Sequence, residues 1–284
     1  MQSSNPVFAR SEGFNGRGSS STYAGNGMTY PAYGTPQGDP STWGTGSPQA
    51  PGYVDQGRMT LDSVVQKTGI TLGLVVLAAA ATWFFTGDPA NADDARTLMT
   101  LWMGGAFAGL GLALVLSFKR VISPGLVLAY AVVEGVFVGA MSKYFEAVFG
   151  DGIVVGAVLG TVAAVAGTLA AYKFFNIQVT PKFRKFVVAA MFGFVALVLL
   201  DFVLSFFGAE IGFNNFGAMG LIMSVVGLGI GVLMLILDFD FVERGVAAGL
   251  PEVESWRAAF GLTVTIIWIY IEILRILAIL RGND

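Results

Sequence analysis

Seven stretches of about 20 apolar residues, each long enough to cross a bilayer, fix the solvent in which this chain folds. A hydrocarbon core about 30 Å thick needs roughly 20 residues of helix at a rise of 1.5 Å each. The stretches cover residues 64–85, 98–118, 124–145, 152–172, 186–208, 217–238 and 258–280. Lipid offers the backbone no hydrogen-bond partners, so a spanning segment is a helix or belongs to a closed barrel. These runs are continuous rather than alternating ten-residue strands, which excludes a barrel. The expected fold class is an all-α membrane protein with seven transmembrane helices, and only 12% of the residues are charged.

The chain has no Cys and no His. That removes thiol chemistry, disulfides and the commonest zinc, copper and haem ligand sets. Any pH response near neutrality then falls to carboxylates whose titration is displaced by burial. No resident cofactor is expected, and neither is an enzymatic activity or a nucleic-acid partner. The first apolar stretch starts after residue 60 and is too long for the apolar region of a signal peptide.

Two domains are expected, a tail over residues 1–57 and a seven-helix transmembrane domain over 58–284. The tail is rich in Gly, Ser, Pro, Asn and Tyr, as in Tyr30-Pro31-Ala32-Tyr33-Gly34. Such a stretch buries too little apolar surface to offset its ordering entropy, so it reads as disordered. Its aromatics (Phe8, Phe14, Trp43 and the tyrosines) are either weak stickers for a partner or parts of a plain tether. Orientation follows from the Lys/Arg asymmetry of the loops. Arg10, Arg17, Arg58, Lys67, Lys119, Arg120, Lys173, Lys182, Arg184, Lys185, Arg244 and Arg257 fall on one side, and only Arg96, Lys143, Arg275 and Arg281 on the other. The N-terminus is expected in the cytoplasm and the C-terminus outside, unless the last segment re-enters.

Small residues mark where helices meet. Gly105-x3-Gly109 in span two and Gly156-x3-Gly160 in span four have the spacing that lets backbones approach closely. Gly227-Leu-Gly229-Ile-Gly231 in span six has no preceding strand, so it reads as a close crossing or a bend rather than a nucleotide loop.

Four acids lie within the spans: Glu134, Asp201, Asp238 and Glu272, with Arg275 as the one basic group deep in a span. Ionised groups there are costly and usually face a bundle interior, a partner or a water-filled cavity. Helix rise puts Glu134 about 15 Å in from the cytoplasmic end of its span, Asp201 about 22 Å and Glu272 about 21 Å, with Asp238 ending span six. Glu134, Asp201 and Glu272 are the candidate cation pathway. Each acid also has a structural reading. Asp238, with Asp240 and Glu243, suits an interfacial helix end; Glu272 and Arg275, three apart, suit an internal pair; Asp201 suits a pair with Arg275.

Leu237-Asp238-Phe239-Asp240 at the end of span six resembles the Bax inhibitor motif family of seven-helix membrane proteins. So does Trp268-Ile-Tyr-Ile-Glu272-Ile-Leu-Arg275 in span seven, and Ser123-Pro124 followed by Tyr130 and Glu134-Gly135 is similar to the family's third helix. The resemblance covers roughly residues 60–280. It implies a fold whose last helix is central, wrapped by two three-helix layers, in the bacterial cytoplasmic membrane. It also implies a pH-sensitive calcium leak, closed at its cytoplasmic mouth by two aspartates, on helices six and seven, that share a proton. Asp238 matches the first aspartate. The second lies ten residues before the family's arginine, and counting back from Arg275 gives Thr265 instead. Glu272, about 10.5 Å deeper on the same face, is a stand-in at another depth, with Asp201 near its level. Asp240 is a second gating candidate on the other face of the helix.

The leading functional expectation is a leak channel or transporter for cations, with Ca²⁺ as the permeant ion, because carboxylates and carbonyls suit hard cations. The alternative is an interaction protein that modulates a membrane-bound protease or a stress response, with the tail as its handle. An intramembrane aspartyl protease built on Asp201 and Asp238 is disfavoured because the two lie too far apart to activate one water. Retinal binding is excluded by the absence of a lysine in span seven.

Overall fold

The computed structural model describes residues 57–175, 177–209 and 211–282. The reading of residues 1–57 as a disordered tail therefore lies outside the described residues, except at Gly57. Seven helices follow: α1 (Leu61–Phe85), α2 (Ala92–Phe118), α3 (Pro124–Phe149), α4 (Ile153–Phe174), α5 (Pro181–Ser205), α6 (Ala218–Ala247) and α7 (Glu254–Gly282). All seven are long and apolar enough to span a membrane.

Local chemistry sets the starts. Thr60 and Ser63 form a reciprocal capping box on α1, each side chain accepting the other's backbone N–H at 3.1 Å. Thr180 caps α5 and Pro181 opens it, a position where a proline's missing N–H costs nothing. This cap starts α5 five residues before the apolar run at 186, which carries Asp201 to within one turn of the helix end. A second boundary shifts further. α6 continues nine residues beyond Asp238, so this residue is inside the helix and does not end it. The α3–α4 turn needs left-handed backbone at Gly150 and Gly152, with φ of 97° and 85°.

α7 is the core of the bundle. Of its spanning window 56% is buried, against 11% for α2. It packs on α1 and α3 from one side and on α4 and α6 from the other, whereas α3 makes no packing contact with α5 or α6. The two layers, α1–α2–α3 and α4–α5–α6, thus enclose a central last helix. α7 is one continuous helix of 29 residues, which removes the re-entrant alternative.

α1 and α7 run parallel, joined by hydroxyl pairs at a constant offset of 192 residues: Ser63 with Ser255 at 2.7 Å and Thr71 with Thr263 at 2.9 Å. Between them Lys67 Nζ donates to Glu252 Oε1 at 2.9 Å. At the opposite ends, Lys143 on α3 donates to the carbonyls of Trp83 and Thr86 that close α1, a cation at the negative end of a helix dipole. Glu146 accepts from the N–H groups of Gly152 and Val154 that open α4. Arg281 at the end of α7 donates to the carbonyls of Gly150 and Asp151. Each face of the bundle is thereby tied by polar contacts among helix ends.

The outer surface is apolar. Phe84, Phe85, Phe118 and Phe174 are more than four-fifths exposed. In water such a surface would drive association; in a bilayer it is the ordinary lipid boundary.

Candidate functional site

The site is the seam between α6 and α7. α6 approaches closely because it presents glycine there. A methyl group built on Gly227 would lie 2.6 Å from Glu272 Oε1, and one on Gly231 would lie 2.9 Å from Ile269. Gly229, on another face, would meet nothing within 4 Å. The glycine run is thus a close crossing with two working positions.

Toward the basic face, Thr265 Oγ1 on α7 donates to Asp238 Oδ2 on α6 at 2.6 Å. The other oxygen of Asp238 faces Gly261, where an added methyl would stand 3.5 Å away. Among the described residues Asp238 makes no salt bridge. A small cavity of about 50 Å³, lined by Met191, Ile230, Gly231, Met234, Val264, Thr265 and Trp268, adjoins the pair. The next contact along the seam is aromatic. Trp268 Nε1 donates to the Gly227 carbonyl at 3.0 Å, and its ring lies 5.5 Å from that of Phe194 on α5. Beyond this aromatic pair is Glu272, 5% exposed, with Arg275 Nη1 at 3.8 Å from its Oε2.

The other candidates are placed elsewhere. Asp201 is 4% exposed and accepts from the backbone N–H groups of Ile211, Gly212 and Asn214 and from the Asn214 side chain, at 2.8 to 3.2 Å. With four donors its carboxylate is saturated, and it organises the α5–α6 loop. It does not pair with Arg275, which donates to the Phe213 carbonyl of the same loop at 3.1 Å. Asp240 is held by two arginines, Arg184 at 2.9 Å and Arg244 at 2.8 Å. Its place is a clamp between α5 and α6 rather than a free gating acid. Glu134 lies in the α2–α3 seam, where its carboxylate fills the space over Gly109 and Tyr130 is within side-chain hydrogen-bonding reach. α7 stands between α3 and the α5–α6 pair, so the four acids do not converge.

Sequence reading missed Trp268, Phe194 and Ser224. The first sits inside the quoted span-seven motif, and Ser224, three residues before Gly227, shares its helical face.

Near the basic face the chain before α1 is strapped to the same hairpin. Arg58 bridges Pro251, Met59 N donates to the Leu250 carbonyl at 2.7 Å, and Glu252 N to the Gly57 carbonyl at 2.8 Å. The Met59 side chain is 2% exposed and packs with Val242, Ala258 and Leu262.

A central helix joined to α6 through one half-buried carboxylate, inside two three-helix layers, defines a seven-helix membrane protein. The chain belongs to the Bax inhibitor 1 like family, whose model matches residues 5–282. It is also similar to an uncharacterized protein of Chlamydia muridarum (strain MoPn / Nigg), 32% identical over 154 residues. That match covers 52% of this chain and 62% of the relative, so it spans less than two thirds of the relative's length.

Proposed function

We propose that the protein is a pH-sensitive leak channel or transporter for cations, with Ca²⁺ as the permeant ion, in the bacterial cytoplasmic membrane. The Asp238–Thr265 contact is the observation that carries this reading, because it joins the central helix to α6 at a half-buried acid that makes no salt bridge among the described residues. The Lys/Arg-rich face is cytoplasmic in this reading, with the N-terminus there and the C-terminus outside.

The gate differs from a shared-proton pair of aspartates, since only one of its two groups is an acid. A threonine hydroxyl bonds a carboxyl group in either protonation state, so deprotonation does not by itself break the contact. It instead leaves a half-buried charge without a counter-ion, and that charge is relieved when α6 and α7 part and water or a cation enters. Protonated Asp238 holds the closed seam; ionised Asp238 favours the open one. Glu272 is the next oxygen ligand along the route, behind the Trp268–Phe194 plug, while Glu134 and Asp201 lie outside it.

Reconstitution in liposomes tests the reading. Wild type should pass Ca²⁺ faster as the pH rises, and Asp238→Asn should flatten that dependence. An unaltered profile in the variant would remove Asp238 from the gate.

The second reading is an interaction protein that modulates a membrane protease or a stress response. The strap of residues Gly57–Met59 on the α6–α7 turn favours it, because it ties the root of the tail to the gating hairpin. Deleting residues 1–56 should leave flux intact in a channel and abolish the cellular phenotype of a regulator.

A further inference from the structure

We infer that Arg275 is a tethered counter-cation that occupies a buried site for a hard, oxygen-seeking cation, formed by Glu272 and Ser224. The inference rests on the cation-pathway reading and names how its inner site is kept closed.

Three buried side-chain polar atoms lack a hydrogen-bond partner among the described residues: Thr68 Oγ1, Ser224 Oγ and Glu272 Oε2. Two of the three meet at one place. Ser224 is fully buried on α6 and Glu272 is 5% exposed on α7. Ser224 faces the Glu272 carboxylate within hydrogen-bonding reach, but no well-aligned hydrogen bond closes between them. Orphaned buried oxygens are uncommon, because each forfeits its hydration without replacement. A carboxylate beside a hydroxyl, with the Phe213 carbonyl bound to the same arginine, is the donor chemistry that hard cations take. Gly227 makes the room, since a methyl there would lie 2.6 Å from Glu272 Oε1 and 2.8 Å from Phe194.

Arg275 holds this site through its charge and not through a hydrogen bond to the carboxylate. Its Nη1 is 3.8 Å from Glu272 Oε2, beyond a hydrogen bond, while its Nη2 is committed to the Phe213 carbonyl at 3.1 Å. No other basic side chain forms a salt bridge with Glu272 among the described residues. A buried carboxylate in hydrocarbon needs a neutralising partner. Here that partner is fixed to α7 itself and anchored to the α5–α6 loop. When the guanidinium holds its place the site excludes a free cation. When it swings away from Glu272, Oε2 and Ser224 Oγ are the ligands a cation would meet.

Removing the tethered charge should therefore create Ca²⁺ binding that does not depend on transport. Full-length Arg275→Gln protein in detergent should be stabilised against thermal unfolding by CaCl₂ at a concentration about tenfold below any that affects wild type. Glu272→Gln/Arg275→Gln should return to wild-type behaviour, and Arg275→Gln/Ser224→Ala should need more Ca²⁺ than Arg275→Gln. If Arg275→Gln does not fold, Arg275→Lys tests the same point. A single-point ammonium cannot reach Phe213 and Glu272 together, so Ca²⁺ should stabilise this variant in the same direction but less. Ca²⁺ responses equal to wild type in whichever arginine variant folds would overturn the inference. Because the readout is binding, a wild type that passes no Ca²⁺ in liposomes would defeat the transport reading and leave this result to be judged separately.

Discussion

Asp201 and Asp238 are both aspartates in the layer that α5 and α6 share, and they are solvated by the protein in opposite ways. Asp201 receives four N–H donors from the loop that follows it. Asp238 receives one hydroxyl, from another helix. A saturated carboxylate is a structural anchor, because every lone pair that water would have satisfied has a fixed partner. A carboxylate with one donor and no basic neighbour is poised, since its charge state changes what the surroundings must supply. Residue type is the same at the two positions, which lie toward opposite ends of the bundle; the count of donors separates a saturated carboxylate from a sparsely bonded one.

The sharpest break of this comparison is expected at the anchor. Asp201→Ala would strand three backbone N–H groups and the Asn214 amide, at a cost of about 3 kcal/mol or more. Thermal unfolding in detergent should show the loss, and a near-wild-type midpoint would deny Asp201 its anchoring role. Asp238→Ala strands only one hydroxyl and should be markedly less destabilising in the same assay.

Next comes the proposed gate. Thr265→Asp would place a second acid opposite Asp238 and should convert a single titrating step in the pH–flux profile into coupled behaviour. A profile identical to that of wild type would show that position 265 does not face the gating group. A smaller effect is expected at the seam. Gly227→Ala should cost about 1–3 kcal/mol by overpacking against Glu272 and Phe194, whereas Gly229→Ala should be neutral or slightly stabilising by about 1 kcal/mol; equal midpoints for the pair would count against the close crossing. The smallest is at Glu134, where Glu134→Gln should leave Ca²⁺ flux in liposomes within about twofold of wild type, a change under about 0.5 kcal/mol. A large loss would return Glu134 to the pathway.

The seven spans were legible because length and apolarity alone identify a membrane helix, with no need for periodicity. The central position of α7 followed from family resemblance, and its contacts with both layers accord with it. The end of α6 was not legible. Asp238, Asp240, Glu243 and Arg244 read as a polar terminus, but Arg184 and Arg244 neutralise Asp240 and the helix runs on to Ala247. The role of Asp201 was hidden for another reason. Its donors are mostly backbone N–H groups of a loop, which leave no side-chain signature in a sequence. Glu134 was misplaced because an all-apolar helix gives no rotational phase, so nothing in the sequence turned it toward α2 rather than α7.

The central claim is that ionisation of Asp238 parts α6 from the rest of the bundle at the basic face. The chain has no native cysteine, so spin labels can be attached at cysteines introduced at the exposed positions Val121 and Ala247, and their separation measured in liposomes by pulsed electron paramagnetic resonance. The account predicts a longer distance at alkaline than at acidic pH, with the shift lost in Asp238→Asn. A distance that stays the same across that range in wild-type protein would contradict it.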